Sequence, residues 1–346
     1  MSYLERTVPQ CGKQDLLGEV DEKMRAEVKL GQPMTMSEDS YPSLYRCADA
    51  ASLKAQGTHL LFHKVHLGSL VLGSVTSAFT AIGSQAVNTY LYTGLAVILV
   101  VGLLILWAMR ARQDDKIWFD GRAVAESVKT ATWRFMMRAQ PFHEDGSAEN
   151  LFLADLKEIR EARPHVGKHL AAAMSPDGSA ITDFMKGKRS SSLEARRSFY
   201  ASARIRDQKV WYANKAKSNV DSGAKWFWAI AVLQIVIVAL AIVQAASGGL
   251  GINPIPIVTT CAAAVAAWSQ MERHEELAQS YALAAQELEE IETIASNQAS
   301  EAAFTQVVEQ AENSISREHT MWCARRDVRL AKAAGANPRT AEPAHG

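Results

Sequence analysis

The sequence lacks the features of a secreted, disulfide-stabilised or nucleic-acid-binding protein. Lys plus Arg and Asp plus Glu each total 37 in 346 residues, so the net charge is zero and no basic excess points to nucleic acid. The four cysteines lie far apart, with no pair at zinc-knuckle or redox-dithiol spacing, which argues against a disulfide framework and fits a reducing compartment. The first twenty residues have no basic segment followed by an apolar one, so no cleavable signal peptide is expected.

Sequence motifs of common enzymes are missing as well. There is no phosphate-binding GxxxxGKS/T, no GxGxxG, no HExxH and no GxSxG. We therefore predict no enzymatic activity, no catalytic residues, no cofactor and no metal ion. Two groups of histidines could suggest a metal: His59, His63 and His66 share one helix face, and His165 and His169 are one turn apart. A position beside a membrane span accounts for the first group, and the second has no third ligand nearby.

The sequence does contain long apolar runs. Tyr90–Met109 and Trp226–Ala246 carry no charge and have about the 20 residues needed to cross a bilayer. Each has a weaker partner: Leu67–Ser84 precedes the first across an uncharged turn at Gln85–Asn88, and Ile257–Trp268 follows the second. These runs predict an all-α membrane protein with two tandem helix-hairpin-helix units and cytoplasmic helical extensions. The predicted spans are about 67–84, 89–109, 226–246 and 253–268.

The fourth span is short for a full crossing. Pro254 and Pro256 suit the first turn of a helix, so this helix is predicted to begin near Asn253 and to be thin, Ala-rich and buried against its neighbours. A re-entrant segment is the alternative.

Basic residues near the ends of the spans predict the orientation of the chain. They flank the spans on one side only, whereas both hairpin turns are uncharged. Because cytoplasmic flanks are enriched in Lys and Arg, both termini and the middle of the chain are expected in the cytoplasm. The flanking residues are His63, Lys64, His66, Arg110, Arg112, Lys116, Lys215, Lys217, Lys225 and Arg273.

The segments that flank the spans are predicted to be helical. Ser43–His66 follows Pro42 and contains no proline, and the stretch after the fourth span has neither Gly nor Pro before Gly335. This stretch carries apolar residues at alternating steps of four and three, which is a heptad seam. The seam packs against another helix of the same chain or against another subunit. Its members are Leu277, Tyr281, Ala284, Leu288, Ile291 and Ala295 and, after a polar break at Ser296–Ser300, Phe304, Val308, Ala311 and Ile315.

The two halves of the chain repeat the same order of elements. A shift of 152 residues places Gln56 on Gln208 and brings Trp118 near Trp268. Each half then consists of a basic helix, a span, a short turn, a span and a charged helix. Between the spans of the two halves, 141–192 is predicted to hold a short helix around Leu151–Arg160. The predicted divisions are 1–37, poorly ordered apart from a helix near Val20–Leu30; 38–190, the first unit; 191–328, the second unit; and 329–346, a tail.

Polar residues inside the spans are few. Ser69, Gly73 and Ser77 recur at every fourth position, which favours close packing within the hairpin. The alternative is that Ser69, Ser77 and Thr76 line a polar pore. Gln234 and Gln244 are the most polar side chains of the strong spans. Gln234 is predicted to form a hydrogen bond to another helix or, alternatively, to line a water path in an oligomer.

Three segments outside the spans resemble a known family. Tyr41–Gln56 and Ile117–Phe142 are similar to one branch of the SLATT family, the SMODS- and SLOG-associating two-transmembrane effectors, and the segment RIRDQKVWYANKAKSN resembles the start of a second branch. The resemblance extends from about Glu38 to Arg325. The residues that carry it are Tyr45, Asp49, Gln56, Trp118, Arg122, Glu126, Trp133, Arg204, Asp207, Gln208, Trp211 and Tyr212.

The resemblance implies a membrane effector of a bacterial conflict system that disrupts the membrane and so limits phage spread. It also implies a separate nucleotide synthase or sensor protein as partner. We further expect a homo-oligomer in the lipid bilayer of the bacterial inner membrane that forms or opens a pore and, from the charge balance, has no nucleic-acid partner. Pairs such as Arg122 with Glu126 and Asp207 with Lys215 either fix the juxtamembrane helices to each other or merely cap and solubilise them. The alternative function is a non-catalytic membrane scaffold that tethers a cytosolic partner through the heptad helix.

Overall fold

A computed structural model describes residues 36–80, 84–174, 178–247, 252–295, 298 and 300–316. These residues form helices and no strand, which confirms the predicted all-α fold. The predicted segments 1–37 and 329–346, with the helix near Val20–Leu30, lie almost wholly outside the described residues. The helices are α1 (Ser43–Phe79), α2 (Gln85–Arg112), α3 (Asp114–Met136), α4 (Ala148–Glu161), α5 (Gly167–Ala172), α6 (Asp183–Arg189), α7 (Leu193–Tyr200), α8 (Asp207–Ala246), α9 (Ile255–Glu272), α10 (His274–Ala295) and α11 (301–316).

Each unit is built from one long helix, a returning helix and a third helix that folds back. α1 and α8, with 37 and 40 residues, run from a helical body into the hairpin without interruption. α2 and α9 return from the hairpin turns. α3 and α10 then pack along the part of α1 and α8 that lies in the body. Both units therefore have the same three-helix plan.

A single residue in the left-handed conformation joins the second and third helices of each unit. Gln113 has φ 50° and ψ 39°, and Arg273 has φ 53° and ψ 42°. The amide of each donates to a carbonyl four residues earlier, Met109 and Ser269, at 3.3 Å in both cases. A left-handed residue ends one helix and lets the next begin at once in a new direction. The two units thus share a backbone joint as well as an order of helices.

The position of the joint shows that the alignment of the two halves suggested by the sequence is shifted. Gln113 corresponds to Arg273, so Trp118 lies in α3, after the joint, whereas Trp268 lies in α9, before it. The shift of 152 residues predicted the order of the elements but paired the wrong tryptophans. The reason is that the returning helices differ in length, with 28 residues in α2 and 18 in α9.

The four hairpin helices form a row in which α1 and α9 contact each other and α2 and α8 lie on the outside. The apolar stretches of α2 and α8 are long and apolar enough to cross a membrane, and almost none of their residues is buried within the chain. Their uncovered apolar side chains face outward along both helices. The largest of them include Leu99, Leu103, Leu104, Trp107, Phe227, Trp228, Ile235, Val238 and Ile242.

The first hairpin turn differs from its predicted position. α1 ends at Phe79 and α2 begins at Gln85, so Gln85–Asn88 is the first turn of α2 and not the turn of the hairpin. Nothing in this segment breaks a helix, since it contains neither Gly nor Pro, and the amide of Asn88 donates to the carbonyl of Ser84 at 2.9 Å.

The fourth helix starts close to the predicted position. The side chain of Asn253 accepts a hydrogen bond from the amide of Ile255 at 3.1 Å, and Pro256 lies in the first turn. The helix then continues beyond its apolar stretch to Glu272. Its 18 residues correspond to a length of about 27 Å, close to the ~30 Å of a hydrocarbon core.

The heptad seam packs inside the chain. In α10 its residues are buried against α8, with the ring of Tyr281 5.6 Å from Trp211 and 5.7 Å from Tyr212. Leu277, the first predicted member, is only partly buried. The members in α11 are all buried, which confirms the second stretch of the seam. Of the two interpretations, packing against a helix of the same chain describes α10. The buried members are Tyr281, Ala284, Leu288, Ile291, Ala295, Phe304, Val308, Ala311 and Ile315.

The body below the hairpins has an aromatic core. Phe135 of α3 packs against Phe152 of α4 with ring centroids 4.9 Å apart, and Phe142 lies 5.6 Å from Phe152. α4 contains the short helix predicted around Leu151–Arg160. All three rings are almost completely buried, so the segment between the two units is anchored to α3.

Gln113→Gly and Arg273→Gly are each expected to stabilise the protein by up to about 1 kcal/mol. Glycine adopts the left-handed conformation without the steric cost that a Cβ atom brings there. The measurement is unfolding of the purified protein by SDS titration in mild detergent, followed by helicity. Gln113→Ala and Arg273→Ala are the controls, since they retain a Cβ and should give no gain. A loss of stability in both glycine variants would show that the joint is not strained.

Candidate functional site: the hairpins and the junction of the two units

Ser69 and Gly73 lie on the face of α1 that packs against α2. The hydroxyl of Ser69 donates to the carbonyl of His66 at 2.7 Å, and a Cβ added to Gly102 would lie 2.9 Å from Ser69 Oγ. Gly73 is buried, and a Cβ there would meet Leu95 Cδ1 at an ordinary 3.5 Å. These contacts correspond to the first interpretation of the row of small residues, close packing within the hairpin.

Thr76 and Ser77 lie further along α1, towards the hairpin turn. The hydroxyl of Thr76 donates to the carbonyl of Leu72 at 2.9 Å, which satisfies its hydrogen-bonding need within α1. The side chain of Ser77 is exposed, and its carbonyl accepts from the hydroxyl of Thr80 at 2.7 Å. Ser77 is therefore the serine of the row that faces outward.

Gln234 is exposed near the middle of the apolar stretch of α8, whereas Gln244 is half-buried. Gln234 belongs to a row of residues on one face of α8, spaced three or four positions apart. In this row the small Ala231 precedes the amide, and Ala241 and Ala245 follow it. The row comprises Phe227, Ala231, Gln234, Val238, Ala241 and Ala245.

In the first unit, Arg122 ties the returning α3 to the long α1. Its Nη1 lies 3.2 Å from a carboxylate oxygen of Asp49, and it also forms an ion pair with Glu126 one turn along α3. Nearby, the hydroxyl of Ser52 donates to the carbonyl of Trp118 at 3.0 Å. Arg122 therefore fixes two helices to each other, which is the first of the two roles considered for it.

Two further family-motif residues of α1 are buried beside this contact. Tyr45 packs against Tyr41 with ring centroids 4.5 Å apart, and burial raises the pKa of the Tyr45 hydroxyl well above its ordinary value. Gln56 is almost fully buried. The ring of Trp118 lies 5.9 Å from that of His59, so this motif tryptophan closes the same interface on the membrane side.

In the second unit, Trp211 and Tyr212 of α8 meet Tyr281 of α10, as described for the seam. A second contact joins the same helices: Glu292 of α10 accepts from Arg206 at 2.9 Å and forms an ion pair with Lys209 at 2.5 Å. Partial burial alone would raise the pKa of Glu292, but the hydrogen bonds from Lys209 and Arg206 outweigh it and lower that pKa.

Asp207 and Lys215 do not join two helices. Both belong to α8, eight residues apart, so their pairing could not fix one helix to another. Asp207 accepts a hydrogen bond from Gln208 at 3.0 Å, and the ammonium group of Lys215 lies 5.9 Å from the centre of the Trp211 ring.

A buried ion pair between Arg204 and Glu312, both of the second unit, lies where the two units meet, against Thr130 and Trp133 of the first. Arg204 Nε donates to one carboxylate oxygen at 2.9 Å and Nη2 to the other at 2.7 Å, and both side chains are almost completely buried. The hydroxyls of Tyr200 and Thr130 each donate to the same carboxylate at 3.0 Å. Burial alone would lower the pKa of Arg204, but Glu312 holds it above its ordinary value, so the guanidinium stays charged.

An aromatic cluster surrounds this ion pair and extends to the start of α1. The guanidinium of Arg204 lies 5.8 Å from the centre of the Trp133 ring, and Trp133 Nε1 donates to the hydroxyl of Tyr41 at 3.1 Å. Trp133 also stacks on Phe199 at 5.4 Å. Burial raises the pKa of the Tyr41 hydroxyl well above its ordinary value, so it stays neutral. The predicted motif residues Trp133 and Arg204 are thus brought together although they belong to different units.

Further polar contacts hold α11 to the body along its length. Arg134 Nη2 donates to the side chain of Asn313 at 2.7 Å, and the amide of Gln140 donates to Glu309 at 3.3 Å. The buried Arg196 pairs with Glu301 at 2.7 Å. α11 therefore contacts α3, the segment after it, and α7.

The sequence alone did not identify Glu312, Tyr200, Thr130 or Tyr41. Glu312 follows Ala311 of the heptad seam, but a charge beside a seam position is common in solvated helices, and 182 residues separate it from Thr130. The one available signal was the position of Glu312 one turn after Val308, on the apolar side of the helix, where a solvated carboxylate would have no place.

The histidines considered as metal ligands lie in separate environments. His59 and His63 are in ring contact at 4.5 Å, and burial lowers the pKa of both, that of His63 to about 4. His165 instead pairs with the buried Asp120. Within the described ranges, no group of three or more His, Cys, Asp or Glu is arranged to hold a metal ion.

Comparison with known families matches both units. The model of SMODS and SLOG-associating 2TM effector domain 3 matches residues 42–197, and that of domain 1 of the same series matches 200–322. The chain contains two SLATT domains in tandem. SLATT domains are two-transmembrane effector domains of conflict systems. No curated protein and no solved structure matches the chain.

The two SLATT matches meet inside one continuous helix. Leu193–Ala246 is helical throughout, and a π-helical turn at Ala201–Arg206 interrupts its α-helical geometry. Such turns insert one extra residue and re-aim side chains, often at functional positions. This turn carries Arg204, whose side chain reaches Glu312. The second SLATT domain is therefore connected to the first through a stiff helix.

Gly102→Ala is expected to weaken the first hairpin by about 1–3 kcal/mol, because its Cβ would overlap the hydroxyl of Ser69. Gly73→Ala, whose Cβ would make an ordinary contact, should cost clearly less. In a Ser69→Gly background the Gly102→Ala penalty should largely disappear. Unfolding by SDS titration measures all four variants. An undiminished penalty in the double variant would contradict the Ser69 contact.

Arg204→Met and Glu312→Leu are each expected to cost about 3–5 kcal/mol, because either leaves the opposite charge buried without its partner. The double variant removes both charges and should recover most of that loss. Arg206→Ala, which removes a largely exposed arginine from its pair with Glu292, is the control and should cost less than about 1 kcal/mol, because Lys209 still pairs with Glu292. Chemical unfolding of the purified protein in detergent gives the four values. Additive losses in the double variant would exclude the pairing.

Proposed function

We propose that this tandem SLATT protein is a membrane effector of a bacterial conflict system that, on receiving its signal, forms or opens a pore in the inner membrane. The observation that carries the proposal is the almost complete exposure of the apolar stretches of α2 and α8, each continuous with the body through an unbroken helix or a one-residue joint. A signal that reaches the body can thus be transmitted to the spans. The family's association with SMODS and SLOG proteins makes a nucleotide synthase or sensor the proposed partner.

Aromatic side chains support a membrane placement with the body in the cytoplasm. On α2, Tyr90 near the turn and Trp107 near the body are both strongly exposed and lie about 26 Å apart along the helix. Tyr and Trp favour the two interfaces of a bilayer, so this separation suits one crossing. Arg110 and Arg112 follow on the body side, where Trp228 of α8 is also exposed. Under the positive-inside rule this end is cytoplasmic, and with it both termini.

Self-association through α8 is part of the proposal. An amide such as that of Gln234 is costly in hydrocarbon unless another membrane helix satisfies it. A carboxamide both donates and accepts, so the same residue of a second copy can complement it. The small side chains of Ala231, Ala241 and Ala245 in the same row would let two backbones approach. Ser77, exposed on α1, is the further candidate for a polar position in the assembled pore.

The scaffold function is less well supported. It required the heptad seam to bind a cytosolic partner, but Leu288 and Ile291 are buried against α8 of the same chain. Charged substitutions at these positions would disrupt the fold before they could remove a partner. The exposed helical surface of the body remains available for the signal that the effector receives.

Gln234→Leu is expected to reduce membrane depolarisation at least about fivefold after induced expression in bacteria, because the helix still inserts but loses its interhelical hydrogen bond. A potential-sensitive dye and uptake of a membrane-impermeant dye provide the measurement, with membrane-fraction immunoblots to equalise amounts. Ile235→Leu, at the adjacent exposed position, is the matched control and should keep full activity.

Replacement of the apolar stretches of α2 and α8 by poly-leucine tests the pore itself. Such spans insert but cannot reproduce the specific packing, so depolarisation should be lost. Full depolarisation by the poly-leucine variant, or none by the wild type at high expression with its expected partner present, would reject the proposed function.

A further inference from the structure

α11 lies across the junction of the two SLATT domains, contacts the origin of α8 directly and is linked to that of α1 through Trp133 and Tyr41. Glu312 binds Arg204, three residues before α8 begins, and it also binds Thr130 of α3. Through Trp133 and Tyr41 the same cluster reaches the segment just before α1. One helix thus sets the relative position of the two helices that lead into the membrane.

The contacts of α11 differ from those of the membrane hairpins. Its apolar residues, such as Phe304 and Val308, are buried, but a fully buried charge lies among them, and hydrogen bonds to Glu301 and Asn313 add polar contacts near its two ends. A buried ion pair adds little stability over an apolar replacement, yet it fixes one geometry, and its two groups are readily hydrated once separated. This combination of contacts is expected of a helix that must bind in one register and also dissociate.

The groups that face this contact keep the carboxylate fully hydrogen-bonded. Four donors saturate the carboxylate of Glu312, and Arg204 remains charged. Tyr200 and Tyr41, which face the pair from α7 and from the segment before α1, stay neutral. Release of α11 therefore requires mechanical displacement or competition by a bound partner.

We propose that α11 is an autoinhibitory latch: while Glu312 occupies its site on Arg204, the two long helices are held at a fixed separation and the hairpins cannot rearrange. Displacement of α11 exposes Arg204 and frees α1 and α8 to move relative to each other. The latch rests on the proposed pore function, because it regulates the same hairpins, but its attachment and release can be measured without a pore.

A reversible disulfide tests the latch in the intact chain. Thr130 Oγ1 and Ser316 Oγ lie 3.2 Å apart, so Thr130→Cys with Ser316→Cys places two short side chains within reach of a bond between α3 and α11. The variant is made with the native cysteines replaced by serine or alanine, purified at full length and reconstituted into liposomes that contain carboxyfluorescein. We expect dye release from the oxidised protein to be at least fivefold slower than after reduction. Each single-cysteine variant is a control and should not respond to reductant.

Glu312→Gln tests the opposite direction. It weakens the charge-assisted bonds to Arg204, so hydrogen exchange of 301–316 and dye release should both rise severalfold over the wild type. Glu290→Gln, an exposed acid on α10, is the matched control and should change neither. In the Arg204→Met, Glu312→Leu double variant α11 stays bound by apolar contacts, and release should not exceed that of the wild type.

The outcomes separate the latch from the pore. Equal dye release from the oxidised and reduced disulfide variants, or a detached α11 in Glu312→Gln without release above that of an active wild type, overturns the latch and leaves the pore function standing. If exchange reports α11 detached in Glu312→Gln but neither this variant nor the wild type releases dye at any density, the pore function is wrong. Faster release on reduction together with faster release from Glu312→Gln supports both.

Discussion

The buried pairing of Arg204 with Glu312 is the constraint on which the arrangement of the two units depends. Two charges in a region without solvent must be matched in sign and in hydrogen bonds. Here the guanidinium fork and two hydroxyls fill the carboxylate and an aromatic face lies against the guanidinium, while Arg204 Nη1 has no hydrogen-bond partner among the described residues. Because the matching groups come from α3, α7, the π-helical turn and α11, the pair forms only when all of them are in place. It therefore specifies one relative position of the two domains, where apolar packing alone would tolerate several.

Different interactions hold the membrane part and the body together. In the hairpins, where apolar surface gains nothing by leaving lipid, small residues such as Gly73 and Gly102 let the helices approach closely. In the body, water makes burial favourable, and large rings such as Phe135 and Phe152 fill the core. The single left-handed residues Gln113 and Arg273 mark where each unit passes from the hairpin to the body. A full helix lies on either side of each.

The sequence was sufficient for features encoded by local periodicity. The helices, the two strong spans and the seam from Tyr281 to Ile315 follow from spacings of three and four residues, which depend little on distant parts of the chain. The joints at Gln113 and Arg273 could not be predicted, because neither is a glycine and their conformation is imposed by the packing of the helices around them. The misplaced turn at Gln85–Asn88 arose because polarity was taken as the sign of a turn, although nothing there ends a helix.

The central ion pair was beyond prediction for a combinatorial reason. With 37 basic and 37 acidic residues, the pairing of Arg204 with an acid 108 positions away has no local signature. Family resemblance pointed to Arg204, and only the three-dimensional arrangement provided its partner. The roles of Gln234 and Ser77 are likewise set by neighbours that a single chain does not contain, and they stay predictions.

The continuity of Leu193–Ala246 has a mechanical consequence. The distance from Arg204 to the far end of α8 is about 63 Å at 1.5 Å per residue, so a small rotation at the π-helical turn moves the far end of the helix over a large distance. A tilt of about 5° at the π-helical turn would move the hairpin end of α8 sideways by about 5 Å, roughly half the diameter of a helix. A shift of the size of one side chain in the body would then become a shift of about half a helix diameter at the far end of α8.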